Sequence, residues 1–178
     1  MSSELFRIIS NSIKKKFTPE FIKEFKTKLG NTQVSERNVI GAVKNILLEL
    51  NLNFEEAGSQ QSKDFRNVGE EKINIEIKKT DGFTIMFNDT CPSPDIYYII
   101  LFTGTDYKKK TNIEPQVLCV NGDIFLKDAL WINEYKQKIE ELVNLYGRGE
   151  NKKHLNGCIK VYPRPNYSAD IRHLLSIK

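Results

Sequence analysis

The residues best placed to do chemistry lie in the run Ile73-Asn74-Ile75-Glu76-Ile77-Lys78, with Asp64 twelve residues before the glutamate. A β-strand points successive side chains to opposite faces. Ile73, Ile75 and Ile77 can therefore pack into a core while Asn74, Glu76 and Lys78 share the other face. A carboxylate and an ammonium held side by side on a rigid strand, with a second carboxylate upstream, suit a divalent metal ion and the cleavage of a phosphodiester. That reaction needs a nucleophilic water, neutralisation of the phosphate and stabilisation of the leaving oxygen. Magnesium does all three when hard oxygen ligands hold it and leave positions open for water and phosphate. Asp64 and Glu76 are suitable ligands, and the backbone carbonyl of Ile77 is a third. Lys78 would orient the water and offset developing negative charge.

Parity separates the two adjacent lysines. Lys78 shares the Glu76 face and Lys79 falls on the opposite one, unless a bulge shifts the register. The same rule puts Asp64 and Arg66 on one face with Phe65 buried behind them. A Glu-x-Lys triplet alone is weak, because charges alternate on many exposed strands; Glu134-Tyr135-Lys136 is another, on a helical stretch. The competing reading of Glu76 and Lys78 is an incidental surface pair worth a fraction of a kcal/mol.

These residues must be positioned by the elements around them. Glu4 to Lys15 reads as a weakly amphipathic helix. Thr18-Pro19 supplies an N-cap and a first-turn proline, and Gly30 a stop, for a helix near 19–29. Ser35 caps a helix over 36–51, where Val39, Ile40, Val43, Ile46, Leu47 and Leu50 form a buried stripe. Strands follow at 53–57, 64–68 and 72–79. Residues 95–102 are continuously apolar, as in a central strand buried on both faces. Asn121-Gly122 marks a hairpin between 116–120 and 123–126. A helix over 128–146, capped by Asp128, places Trp131, Tyr135, Ile139, Leu142, Val143 and Tyr146 on one face, and 158–162 reads as an edge strand. The fold class is α/β or α+β, a sheet with helices on its faces.

This order of elements resembles the PD-(D/E)xK nuclease superfamily, and within it the small type II restriction endonucleases. The resemblance spans roughly residues 36–104: helix, strand, polar loop, Asp64 on a second strand, Glu76-Ile77-Lys78 on a third, then an apolar strand. It implies a restriction-endonuclease-like central mixed β-sheet flanked by helices, with a catalytic core at about 36–126. It also implies that Asp64 and Glu76 bind magnesium and that Lys78 assists the attacking water. Lys63 stands where a proline often precedes the first acidic residue. Gly41-Ala42-Val43-Lys44-Asn45 lacks the mid-helix glutamate of some members, for which Glu36 or Glu49 could substitute.

The composition is compatible with this. At 178 residues the chain has the length of one ordinary domain, with 39% hydrophobic residues for a core. A net charge of +4 permits a nucleic-acid partner without demanding one. The triplets Lys14–Lys16 and Lys108–Lys110 are either solvated surface or phosphate contacts. No stretch of about 18 apolar residues could span a membrane. Met1-Ser2-Ser3-Glu4 lacks the order of a signal peptide. The three cysteines form no CxxC pair, which argues against zinc and for a reducing, cytoplasmic compartment.

Base-reading candidates are Asn88, Asp89 and Thr90, in the connection between the Glu76 strand and the apolar one, and Arg164 and Asn166 in the Pro-rich tail. The alternative for both is an ordinary turn. Gln60 and Gln61 could touch the DNA backbone or minor groove. His154, His173 and Cys91 lack partners at ligand or nucleophile spacing. The expectation is a magnesium-dependent, site-specific endonuclease on double-stranded DNA, acting as a homodimer on a palindromic site. The alternatives are a structure-directed or repair nuclease of the same superfamily, and a non-enzymatic binding domain.

Overall fold

The computed structural model describes residues 3–27, 32–57, 63–88, 91–104, 113–126, 130–142, 144–145 and 166–175. Helix α1 (Glu4–Lys16) starts where the Ser3 hydroxyl accepts from the Phe6 amide, and ends in three lysines that suit the negative end of its dipole. Helix α2 (Pro19–Glu24) has the expected Thr18 cap but stops at Phe25, short of residue 29, where Phe17 and Phe25 stack and Phe21 meets both edge-on. Helix α3 (Thr32–Glu49) begins ahead of the expected start. Ser35 is inside it and does not cap it, its hydroxyl donating instead to the Phe25 carbonyl at 2.5 Å. At its end Asn51 adopts φ 53°, and the Leu52 amide bonds back to the Leu47 carbonyl, the left-handed closure that usually takes glycine.

Five strands form one mixed sheet: β1 (Glu55–Glu56), β2 (Phe65–Val68), β3 (Ile73–Thr80), β5 (Ile96–Phe102) and β6 (Gln116–Asn121), in the order β1-β2-β3-β5-β6. Only β3 and β5 run parallel; the other neighbours are antiparallel. Parallel neighbours need a crossover. It runs through β4 (Thr84–Asn88), which leaves the main sheet and pairs with β7 (Asn166–Asp170) in a separate two-stranded ribbon.

Each face of the sheet has its own core. On one, Ile73, Ile75, Ile99 and Leu101 pack against Phe6, Ile9 and Ile13 of α1, Ile22 of α2 and Val39, Val43, Ile46 and Leu47 of α3. On the other, Tyr98, Ile100 and Phe102 pack against Ile85 and Phe87 of β4 and Ala169 of β7. The strand at 96–102 is thus buried on both faces, as its composition required. Strand β2 carries a bulge: Phe65 pairs with Ile75 and Val68 with Ile73, so Arg66 and Asn67 together oppose Asn74. Asn67 takes φ 51° there.

Further expectations are corrected. Residues 123–126 are not a strand. Gly122–Phe125 is a 3-10 helix, started by the Asn121 carboxamide oxygen accepting from the Asp123 amide at 2.9 Å. A Cβ on Gly122 would stand 2.0 Å from the Ser93 carbonyl oxygen, so the glycine serves a close approach and not a hairpin turn. The segments at 84–88 and 166–170, read as loop and tail, are strands. Helix α4 (Leu130–Leu142) does not bury the expected stripe: Trp131 is 54% exposed and Leu142 is exposed, while Ile132 is fully buried. Asp128, Val143, Tyr146 and the expected strand at 158–162 lie outside the described residues. Among the described residues no helix is long and apolar enough to cross a membrane.

Candidate metal and phosphodiester site

Strand β3 is the platform. Ile73 and Ile75 are buried against the helices and Ile77 is partly buried beside them, which fixes the strand's rotation. Glu76 and Lys78 then fall on the opposite face, where they oppose Tyr98 and Ile100 of β5. Glu76 is buried, and its Oε1 takes an ion pair from Lys78 Nζ at 2.6 Å. The Lys78 ammonium lies 5.6 Å from the centre of the Phe87 ring, a cation–π distance.

Asp64 reaches the same place from β2. Its Oδ2 accepts a hydrogen bond from the Ile77 amide at 2.7 Å. That bond joins the two carboxylate-bearing segments in space, which spacing along the chain could not do. In a strand the N–H and C=O of one residue project to the same side. The Ile77 carbonyl therefore faces the side on which Asp64 stands. Asp64, Glu76, Ile77 and Lys78 line one cleft of about 420 Å³.

Burial dominates the electrostatics of the cleft. Burial pushes the carboxyl of Glu76 above the ordinary carboxylate range, and the attraction of Lys78 only partly offsets it. Burial likewise raises Asp64, against the Ile77 amide and Lys78 that pull it down; Glu36 adds a further upward push. Glu76 Oε2 is buried with no hydrogen-bond partner. An orphaned acceptor of this kind asks for an ion or water. The residues present therefore fit a hard divalent cation. Among the described residues no three His, Cys, Asp or Glu side chains are grouped to hold a metal. Two carboxylates and one backbone oxygen suit a cation that keeps several waters, as magnesium does.

Three further cleft residues were not resolved by sequence reasoning. Glu36 of α3 lines the cleft and acts electrostatically on Asp64. Glu49, the other substitute considered, pairs with Lys16 on the surface. Thr84 and Met86 of β4 complete a wall of the cleft. The alternation in Thr84-Ile85-Met86-Phe87 was the available clue to that strand.

Lys79 also borders the cleft but is spent structurally. Its side chain is only 5% exposed, with Nζ bonded to Thr27 Oγ1 at 2.5 Å and to Asp81 at 3.1 Å. Thr103 donates to the same Asp81 carboxylate at 2.5 Å. Burial alone would raise the Asp81 carboxyl; the bonds from Thr103, Thr27 and Lys79 outweigh it and hold it low. Lys79→Met should thus cost about 1–3 kcal/mol of stability in a denaturant titration, because it takes the ion-pair partner from Asp81 and a donor from Thr27. An unchanged midpoint would contradict this bracing role.

Of the other candidates, Gln60, Gln61, Asp89, Thr90 and Arg164 lie outside the described residues. Asn88 and Asn166, far apart in sequence, are register partners in the β4–β7 ribbon. His173 is exposed. Burial raises the pKa of both described thiols, that of Cys119 to about 11, so neither is poised as a nucleophile. Comparison with known protein families, with curated proteins and with solved structures returns no match for this chain.

Proposed function

We propose that this chain is a magnesium-dependent endonuclease of the type II restriction kind, within the PD-(D/E)xK superfamily, that cleaves double-stranded DNA at a short sequence as a homodimer. The observation that carries this reading is the junction at Ile77. Asp64 binds its amide, Glu76 precedes it with a buried and unpartnered oxygen, and Lys78 follows it as the ion-pair partner of Glu76. The mixed sheet, with its parallel β3–β5 pair and helices packed on one face, is compatible with a restriction-endonuclease-like fold.

Asp64, Glu76 and the Ile77 carbonyl would hold the magnesium. When bound, the ion supplies an acidified water and neutralises charge on the phosphate. The chain's own residues do the rest. The Lys78 ammonium, held by Glu76 and steadied over Phe87, orients the attacking water and offsets charge accumulating on the phosphate oxygens. The Asp64–Ile77 bond prevents β2 from drifting away from β3.

The test is incubation of plasmid, linear and branched DNA with the protein, in magnesium or in EDTA, with the ends mapped. Discrete magnesium-dependent bands from plain duplex are expected. Cutting confined to branched DNA would favour a structure-directed nuclease, and no cutting of any substrate would overturn the reading.

A further inference from the structure

The ribbon of β4 and β7 has two unlike faces. Ile85, Phe87 and Ala169 turn inward against Tyr98, Ile100 and Phe102. Thr84, Met86, Ser168 and Asp170 are exposed. Met86 is 43% exposed and opposes Ser168 at the ribbon's centre. Strands of five residues at ~3.4 Å per residue run about 17 Å, and paired strands lie about 4.8 Å apart. The major groove of DNA, about 12 Å wide, admits a ribbon of that width.

Three observations identify the occupant of the exposed face. The first is continuity: Thr84 and Met86 belong to the wall of the cleft that holds Asp64, Glu76 and Lys78. A duplex whose backbone lies in that cleft must bring an adjoining groove to β4. The second is chemistry. Among the described residues the Thr84 and Ser168 hydroxyls have no hydrogen-bond partner, which leaves donors and acceptors free for base edges, and an exposed methionine suits a thymine methyl. The third is stiffness. Phe87 packs against Tyr98, Phe125 and Tyr167, and Asp170 is fixed by Arg172 at 2.8 Å, so little order has to be gained on binding.

We propose that the β4–β7 ribbon enters the major groove of duplex DNA and reads base edges through Met86 and Ser168. This rests on the endonuclease reading and adds the element that selects the sequence. The experiment maps the cut sites of the unmodified protein, Met86→Ala and Ser168→Ala on a randomised duplex library with magnesium. Preference for the best site over its single-mismatch neighbours should fall about 10-fold in each variant, at one or two positions of the site. The magnesium-induced rise in thermal midpoint should persist, since the cleft carboxylates are untouched. An identical site with undiminished preference in both variants would overturn the ribbon's role and leave the endonuclease reading standing. Absence of cutting by the unmodified protein would overturn both.

Discussion

Lys78→Ala is expected to slow DNA cleavage by about 10³-fold while duplex binding survives. Lys78 is the cationic side chain paired with Glu76. Lys79, its neighbour in sequence, faces the other way and is bound to Thr27 and Asp81. The substitution also acts on the carboxylates. Lys78 lowers both Asp64 and Glu76, so its removal lets burial push them higher. They then stay protonated to a higher pH, and residual cleavage should shift toward alkaline pH. Single-turnover rates across a pH series measure both effects. Full activity in Lys78→Ala would end the assignment of this residue and, with it, the nuclease reading of the site.

The second large effect is on stability. A carboxyl whose folded pKa lies above its unfolded value binds protons more tightly when folded. Its contribution is fully favourable below the ordinary carboxylate range and is lost as pH rises through the raised value. At neutral pH the metal-free protein therefore bears the cost of one buried charge, Glu76, and one partly buried charge, Asp64. Glu76→Gln keeps the shape and an acceptor for Lys78 but removes one charge. Burial outweighs the attraction of Lys78, so the variant should be more stable than the parent by about 1 kcal/mol in EDTA. Magnesium should reverse the order, because it binds the folded parent and stabilises it by mass action while finding an incomplete site in the variant. Calorimetry in EDTA and in millimolar magnesium reads both signs. A parent protein indifferent to magnesium, or a Glu76→Gln variant that gains as much from it, would refute the metal site.

What the sequence made legible is local. The alternation of Ile73, Ile75 and Ile77 forced Glu76 and Lys78 onto one face, and the structure places them there. The stripe Val39, Val43, Ile46 and Leu47 and the apolar run at 96–102 were equally clear, because one buried face is enough to write such patterns. Other features depend on residues far away in the chain. The Asp64–Ile77 bond is a tertiary contact. The ribbon pairs Thr84 with Asp170, so neither strand could be judged alone. Asn121-Gly122 has the composition of a hairpin, yet the Ser93 carbonyl decides what the glycine is for. Trp131 obeys a helical period, but nothing in that period says which face Ile132 will choose. Glu36 sits outside the mid-helix position where a glutamate was sought, and only the packing of α3 brings it to the cleft.

The bulge in β2 has a consequence of phase. Phe65 and Val68 are three residues apart and both face the helices. Strict two-residue alternation cannot do this. Counted back from an inward Val68 in strict alternation, residues 66 and 64 would turn toward the apolar core and Phe65 would turn out. The bulge takes up the extra residue, so the phase is restored before Phe65 and Asp64 is delivered to the side of Glu76. The meeting of the two carboxylates thus depends on a local irregularity in a neighbouring strand as much as on the carboxylates themselves.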